Sequence, residues 1–199
     1  MYYKPWNLKF YPNYGKIQIL KGVNEVKSKN NTDTKIKDME NNTFKSNVYD
    51  LDSYEITKET CAIINLSDDF TKVIELNEEY ILPKKTYEIM EDSCSYYGSS
   101  YQGRLKGTKK ILGSSYKLPI VVEEKNDIIF FPTSGIENEK CSWLSLNNIS
   151  KYEKNGGYTS VTFGNGKKVI IKMTYSTFEL QLMRATRLLM LLKKRAGLK

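Results

Sequence analysis

The 199-residue sequence predicts an α+β fold: mostly antiparallel β-sheet, a short Gly/Lys-rich helix at about 99–113 and a C-terminal amphipathic helix at about 176–195. Three observations lead there. From residue 54 onward, short runs rich in Ile, Val and Tyr alternate with turn signals, the pattern of hairpin-linked strands. Residues 99–113 switch to a 3.6-residue apolar period. Residues 176–195 carry a broad apolar stripe behind a Ser-x-x-Glu start.

Residues 1–53 read as an N-terminal extension and polar linker, partly disordered. Residues 1–22 are aromatic and apolar in patches, with a hairpin at Asn7–Leu20 around the turn signal Pro12-Asn13-Tyr14-Gly15. Residues 27–47 are rich in Asn and Lys and nearly free of core-forming side chains, so burial there cannot offset the entropy of ordering. A second reading starts translation at Met39. The domain proper is expected to span 54–199. Cys61–Leu66, Thr71–Leu76, Glu79–Leu82 and Thr86–Met90 are read as four strands of a meander, with its acidic residues on an open face.

In Ser99–Gly113, Tyr101, Leu105, Thr108, Ile111 and Leu112 fall on one helical stripe. Ser99 or Ser100 suits the N-cap and Gly113 the position after the last turn. Gln102, Gly103, Lys106, Gly107, Lys109 and Lys110 fall opposite. Two glycines in so short a helix cost about 1 kcal/mol each against alanine, so something is expected close to the backbone: a crossing element of the fold, or a phosphate backbone. Ile120–Val122, Ile128–Phe131, Trp143–Ile149, Ser160–Phe163 and Lys167–Met173 read as further strands. Gly164-Asn165-Gly166 makes a tight turn, putting Lys167 and Lys168 at a hairpin tip that could meet a groove. The last helix has the stripe Phe178, Leu182, Ala185, Leu188, Leu189 and Leu192. Recognition, dimer and membrane-surface roles all stay open for it, although its widely spread apolar residues favour burial against the sheet or a partner.

Composition narrows the chemistry. The sequence has no histidine, which removes mechanisms needing an imidazole base or ligand. Cys61, Cys94 and Cys141 are odd in number and far apart, pointing to free thiols in a reducing cytoplasm rather than disulfides or a structural zinc. Asp68-Asp69, Glu78-Glu79 and Glu123-Glu124 read as solvated turn residues rather than catalytic pairs. Gly98-x4-Gly103 is followed by Arg104-Leu105, without the Lys-Ser/Thr of a phosphate loop. No enzyme activity, cofactor or metal is expected. No apolar run approaches the roughly 20 residues that span a bilayer, so no membrane partner is expected.

The net charge is +8 and unevenly spread. Residues 54–95 hold four basic and ten acidic side chains, residues 96–122 five and none, and residues 161–199 nine and one. Segregation of this kind is what a polyanion-binding face requires, since a uniform mixture leaves little local potential.

The stretch Ser93-Cys94-Ser95-Tyr96-Tyr97-Gly98-Ser99-Ser100-Tyr101-Gln102-Gly103-Arg104, with Gly107-Thr108 after it, resembles the signature of the ComK family of competence transcription factors. Later features follow in the same order: Lys117-Leu118-Pro119-Ile120, Phe130-Phe131-Pro132-Thr133, Cys141-Ser142-Trp143, Val161-Thr162-Phe163-Gly164-Asn165-Gly166-Lys167 and Tyr175-Ser176-Thr177-Phe178-Glu179. The resemblance runs from about Tyr54 to Met190. It implies a cytoplasmic activator that binds paired A/T-rich boxes in double-stranded DNA, through the minor groove and as a homo-oligomer. An A-tract's narrow minor groove attracts Arg and Lys, which suits the basic blocks. Residues before Tyr54 have no counterpart in the resemblance. The chain also ends soon after its last helix, where better-known members continue into a tail tied to a protease adaptor, so that mode of turnover is not carried over. A paralogue serving another regulon fits the same residues.

The DNA contacts are expected from Arg104, Lys106, Lys109, Lys110 and Lys117 in the first basic block, and from Lys167, Lys168, Arg184 and Arg187 in the second. Arg104 lies at the edge of the apolar stripe, where an internal salt bridge competes with DNA contact. The alternative is a non-enzymatic interaction protein using its basic face for a protein or anionic partner.

Overall fold

The computed structural model describes residues 54–113, 116–135, 138 and 140–197. The expected hairpin at Asn7–Leu20, the linker at 27–47 and the start at Met39 lie outside these residues. The α+β class holds, with nine strands and three helices among the described residues.

A six-stranded antiparallel sheet forms the centre. Its strands are β1 (Thr60–Asn65), β2 (Thr71–Glu75), β3 (Glu79–Leu82), β4 (Ile120–Glu123), β5 (Ile128–Pro132) and β6 (Trp143–Ser145), in the order β3-β2-β1-β6-β5-β4. β6 inserts between β1 and β5: Ala62 pairs with Leu144, and Phe131 pairs with Leu144 from the other side. A second antiparallel sheet contains β7 (Ile149–Asn155), β8 (Tyr158–Phe163) and β9 (Lys168–Ile171). The helices are α1 (Thr86–Tyr96), α2 (Tyr101–Leu112) and α3 (Tyr175–Arg195).

Two-residue alternation splits the central strands into two apolar faces. Ile63, Val73, Ile120, Val122, Phe130 and Trp143 pack with Ile89 and Met90 of α1 and Tyr101 of α2. Their neighbours Ala62, Ile74, Val121, Ile129, Phe131 and Leu144 pack with Val161 and Phe163 of β8 and with Phe178, Ala185 and Leu188 of α3. Edge-to-face ring contacts tie both layers to the sheet: Tyr101 to Trp143 at 6.0 Å and Phe131 to Phe178 at 5.7 Å. Pairs of this geometry add about 0.5–1.5 kcal/mol beyond the area they bury. Because both faces are covered, the sheet has no open acidic face. The acids stand at turns and strand ends instead, such as Glu59, Asp68, Asp69 and Glu78, all exposed.

Three local readings are corrected. Thr86–Met90 is not a strand but the first turns of α1. Its buried residues Thr86, Ile89, Met90, Ser93 and Cys94 recur three and four apart, and the Glu88 carboxylate accepts from the Lys85 N–H at 2.8 Å. The run Trp143–Ile149 is two strands: β6 ends at Ser145, and Ile149 begins β7. Between them Asn148 donates to the carbonyls of Lys58 (3.0 Å) and Thr60 (2.8 Å), fastening the turn to β1. The cap of α3 is Thr174 rather than Ser176, with the Thr177 N–H donating to the Thr174 hydroxyl at 3.4 Å. Among the described residues, no helix is long and apolar enough to cross a membrane.

Candidate nucleic-acid interface

The sequence of α2 builds a two-faced helix. Ser100 caps it, accepting from the Gly103 N–H at 3.0 Å, and the Glu91 carboxylate of α1 accepts from the Tyr101 N–H at 3.2 Å. Gly113 ends it in the left-handed conformation, φ 66°, which costs glycine no Cβ clash. Tyr101 and Thr108 are buried and Leu105, Ile111 and Leu112 half-buried, so the predicted stripe faces the protein. Gln102, Gly103, Lys106, Gly107, Lys109 and Lys110 are all exposed.

The two glycines differ. A Cβ at Gly103 would meet the Ser100 hydroxyl at 3.1 Å, so this glycine makes room for its own helix cap. A Cβ at Gly107 would find nothing within 4 Å. Among the described residues no crossing element explains Gly107, which leaves a smooth backbone patch between lysines. Among the described residues, Lys106, Lys109 and Lys110 have no ion-pair partner, nor do Lys168 and Arg187, and all five are exposed. Lys109 and Lys110 also suit the negative end of the helix dipole, a stabilisation independent of any ligand.

Four of the nine expected contact residues are engaged within the fold. Arg104 bonds Glu124 at 2.9 Å with its side chain largely buried, the internal alternative that its position allowed. Lys167 does not stand at a free hairpin tip. Its ammonium donates to the carbonyls of Glu78 (3.1 Å) and Glu75 (3.3 Å) and lies 3.7 Å from the Glu79 carboxylate. Asn165 in the same turn donates to the Leu76 carbonyl at 2.6 Å and the Glu75 carbonyl at 3.1 Å. The β8–β9 turn is thus docked on the β2–β3 turn. Lys117 is half-buried, with its ammonium over the Tyr116 ring at 5.3 Å. Arg184 donates to the Tyr116 carbonyl at 3.3 Å. Buried Gln181 joins these, donating to the Lys117 carbonyl at 2.8 Å and accepting from Arg184 at 3.1 Å in the amide orientation that satisfies both. The structure gathers Lys106, Lys109 and Lys110 on one helix face, while Lys168 stands on β9 and Arg187 on α3.

Two of the three carboxylate pairs serve the fold. Glu79 pairs with Lys72 at 2.7 Å, and Glu123 accepts from the backbone N–H groups of Lys125 (2.5 Å) and Asn126 (2.9 Å). Cys61, Cys94 and Cys141 are free and buried, and burial pushes the thiols of Cys61 and Cys94 up to about 11. An unreactive thiol is the consequence, because the thiolate is the nucleophile.

No solved structure matches the chain. A curated protein from Bacillus subtilis (strain 168), "Competence transcription factor", is 34% identical over 138 residues, covering 67% of this chain and 72% of that protein. The family pattern described as "ComK protein" matches residues 51–197, and with that span and that identity the chain belongs to the ComK family.

Proposed function

We propose that this chain is a DNA-binding transcriptional regulator of the competence type, not an enzyme, that holds A/T-rich duplex through the minor groove and works as a homo-oligomer. One observation carries the reading: the open backbone at Gly107 lies among three lysines, on the outward face of α2, that have no ion-pair partner among the described residues. Phosphate contacts position a protein on DNA without reading sequence, and a smooth helix face with cations on both sides is suited to them. Lys106, Lys109 and Lys110 then contact the backbone. A narrow A-tract groove concentrates negative potential, so even non-directional ammonium groups favour it over G·C-rich duplex. Membership of the ComK family and the relative's name supply the regulatory role.

Fluorescence anisotropy of the full chain tests this on labelled A/T-rich and G·C-rich duplexes across a salt series. Tighter binding to the A/T duplex is expected. Changing Lys106, Lys109 and Lys110 together to alanine should flatten the log–log salt slope by about 3 units, since each neutralised phosphate contributes about 0.9. Inosine·cytosine pairs lack the guanine amino group and so present the A·T pattern in the minor groove alone; retained affinity for them places the contact there. Equal, weak binding to both duplexes overturns the A/T reading.

A further inference from the structure

Helix α3 presents two parallel stripes. Phe178, Gln181, Ala185 and Leu188 point inward and are buried. Two positions further along, Leu180, Met183, Arg187, Met190 and Lys194 repeat the same spacing on the opposite face. The apolar members of that outer stripe are 47%, 67% and 67% exposed, and the cations between them have no ion-pair partner among the described residues. Single exposed apolar residues are ordinary on a protein surface, but a run of them along one helix stripe marks an interaction site.

The charge on the stripe selects what can cover it. The helix has one acid, Glu179, placed within reach of the Tyr152 hydroxyl at 3.5 Å. An α3–α3 pairing about a two-fold axis would oppose cation to cation, an arrangement that disfavours association. The complement must be apolar and acidic. The β1–β2 turn has that composition: Leu66 and Phe70 are 50% and 39% exposed and flank Asp68 and Asp69. The turn is braced from within. The Leu66 and Ser67 N–H groups both donate to the Phe70 carbonyl, at 3.0 and 3.2 Å, and the Asn65 amide donates to the Ser67 carbonyl at 2.7 Å. A braced turn loses little entropy on docking. Among the described residues, exposed Tyr87 on α1 is also set among acids, but those acids are engaged: Glu88 by the Lys85 N–H, Glu91 by the Tyr101 N–H and Asp92 by Lys84. Asp68 and Asp69 have no ion-pair partner among the described residues.

We infer that copies of this chain associate head to tail, the β1–β2 turn of one seated on the outward stripe of α3 of the next, with Asp68 and Asp69 meeting Arg187. The inference rests on the homo-oligomer reading above and names its surfaces. Such a contact is heterologous, because two different patches of the same chain meet. A five-residue turn covers less than the roughly 800 Å² per partner of a standard interface, so in free solution the contact forms only at the upper end of a concentration series. Neighbouring copies on one duplex gain the effective concentration that completes it.

Sedimentation velocity of the full chain without DNA, over a concentration series, tests the inference with two variants at exposed positions. Asp68→Lys/Asp69→Lys alters the turn, and Met183→Ser/Met190→Ser alters the helix; thermal melts verify that each folds. Each variant alone should self-associate about tenfold more weakly than the wild type, a loss of about 1.4 kcal/mol. An equimolar mixture of the two should form a dimer and stop there, because one native junction remains and the other is missing on both sides. A turn variant that self-associates like the wild type overturns the inference in favour of a symmetric contact. Wild type that is monomeric at every concentration overturns it together with the oligomer reading, while the anisotropy measurement judges DNA binding separately. Wild type that associates, with neither variant altering it, removes these surfaces and leaves oligomerisation standing.

Discussion

A glycine inside a helix is a cost that something must offset, and the two in α2 offset it differently. At Gly103 the beneficiary is the Ser100 cap, 3.1 Å from where a Cβ would stand. At Gly107 the fold gains nothing. Gly107→Ala should therefore raise stability by about 1 kcal/mol in urea titration. Gly107→Leu should fold normally but weaken duplex binding, because the branched side chain stands where a phosphate would approach. Gly103→Ala should be neutral or destabilising, as the added methyl presses on the cap. The cysteines give a second prediction at this scale. Burial holds Cys61 and Cys94 protonated up to about pH 11, against 9.0 for an ordinary thiol. The unfolded chain then binds fewer protons than the folded one above about pH 9. Their contribution to stability is complete below that pH and is lost as the pH rises towards 11. Urea titrations at pH 8 and pH 10.5 should show this loss, and Cys94→Ala should reduce it. A thiol reagent at neutral pH should react only as the chain unfolds.

At the scale of the element, capping decides where a helix begins. The Ser176-Thr177-Phe178-Glu179 pattern predicts a capping box, but the helix starts earlier, on Thr174, whose hydroxyl also contacts that of Thr177 at 2.8 Å. Thr174→Ala should cost about 1 kcal/mol in thermal or chemical unfolding, while Ser176→Ala, already inside the helix and exposed, should change little. Helices α2 and α3 were legible in the sequence because their stripes are long and their end signals local. Helix α1 was not: Thr86–Met90 is too short a window to separate the two periods, and Ile89 beside Tyr87 imitates a strand. The docking of the hairpin tip was not legible for another reason. Gly164-Asn165-Gly166 specifies a turn, but that Lys167 and Asn165 bond to carbonyls ninety residues upstream depends on tertiary packing, which no local pattern encodes.

At the scale of the whole molecule, the charge blocks of the sequence survive only in part as a surface. Nine contact residues were expected; folding draws Arg104, Lys167 and Arg184 into bonds with neighbouring backbone and acids, sets Lys117 over the Tyr116 ring, and leaves α2's lysines, Lys168 and Arg187 outward. Arg104 is the instructive case, because the residue type most suited to bidentate phosphate contact is the one spent on Glu124. Arg104→Ala should lower thermal stability, leaving Glu124 without its partner, yet change the salt slope of duplex binding little. The same substitution at Lys109 should do the reverse. A thermal melt and an anisotropy salt series on the two variants separate these roles.

The insertion of β6 between β1 and β5 has a consequence for the chain's birth. Ala62 waits for Leu144, so during synthesis the first hairpin, complete at Glu75, leaves the ribosome with one edge unpaired until about seventy further residues have been added. Pairings this distant in sequence are slow to form, and an exposed strand edge recruits other chains. A ribosome stalled between Gly113 and Trp143 therefore holds a polypeptide with α2 already synthesised but no completed sheet beneath it. Nascent chains arrested before and after β6 should differ sharply in resistance to brief protease treatment. Completion of a three-residue strand, rather than of the lysine-bearing helix, is the moment at which the newborn chain becomes durable.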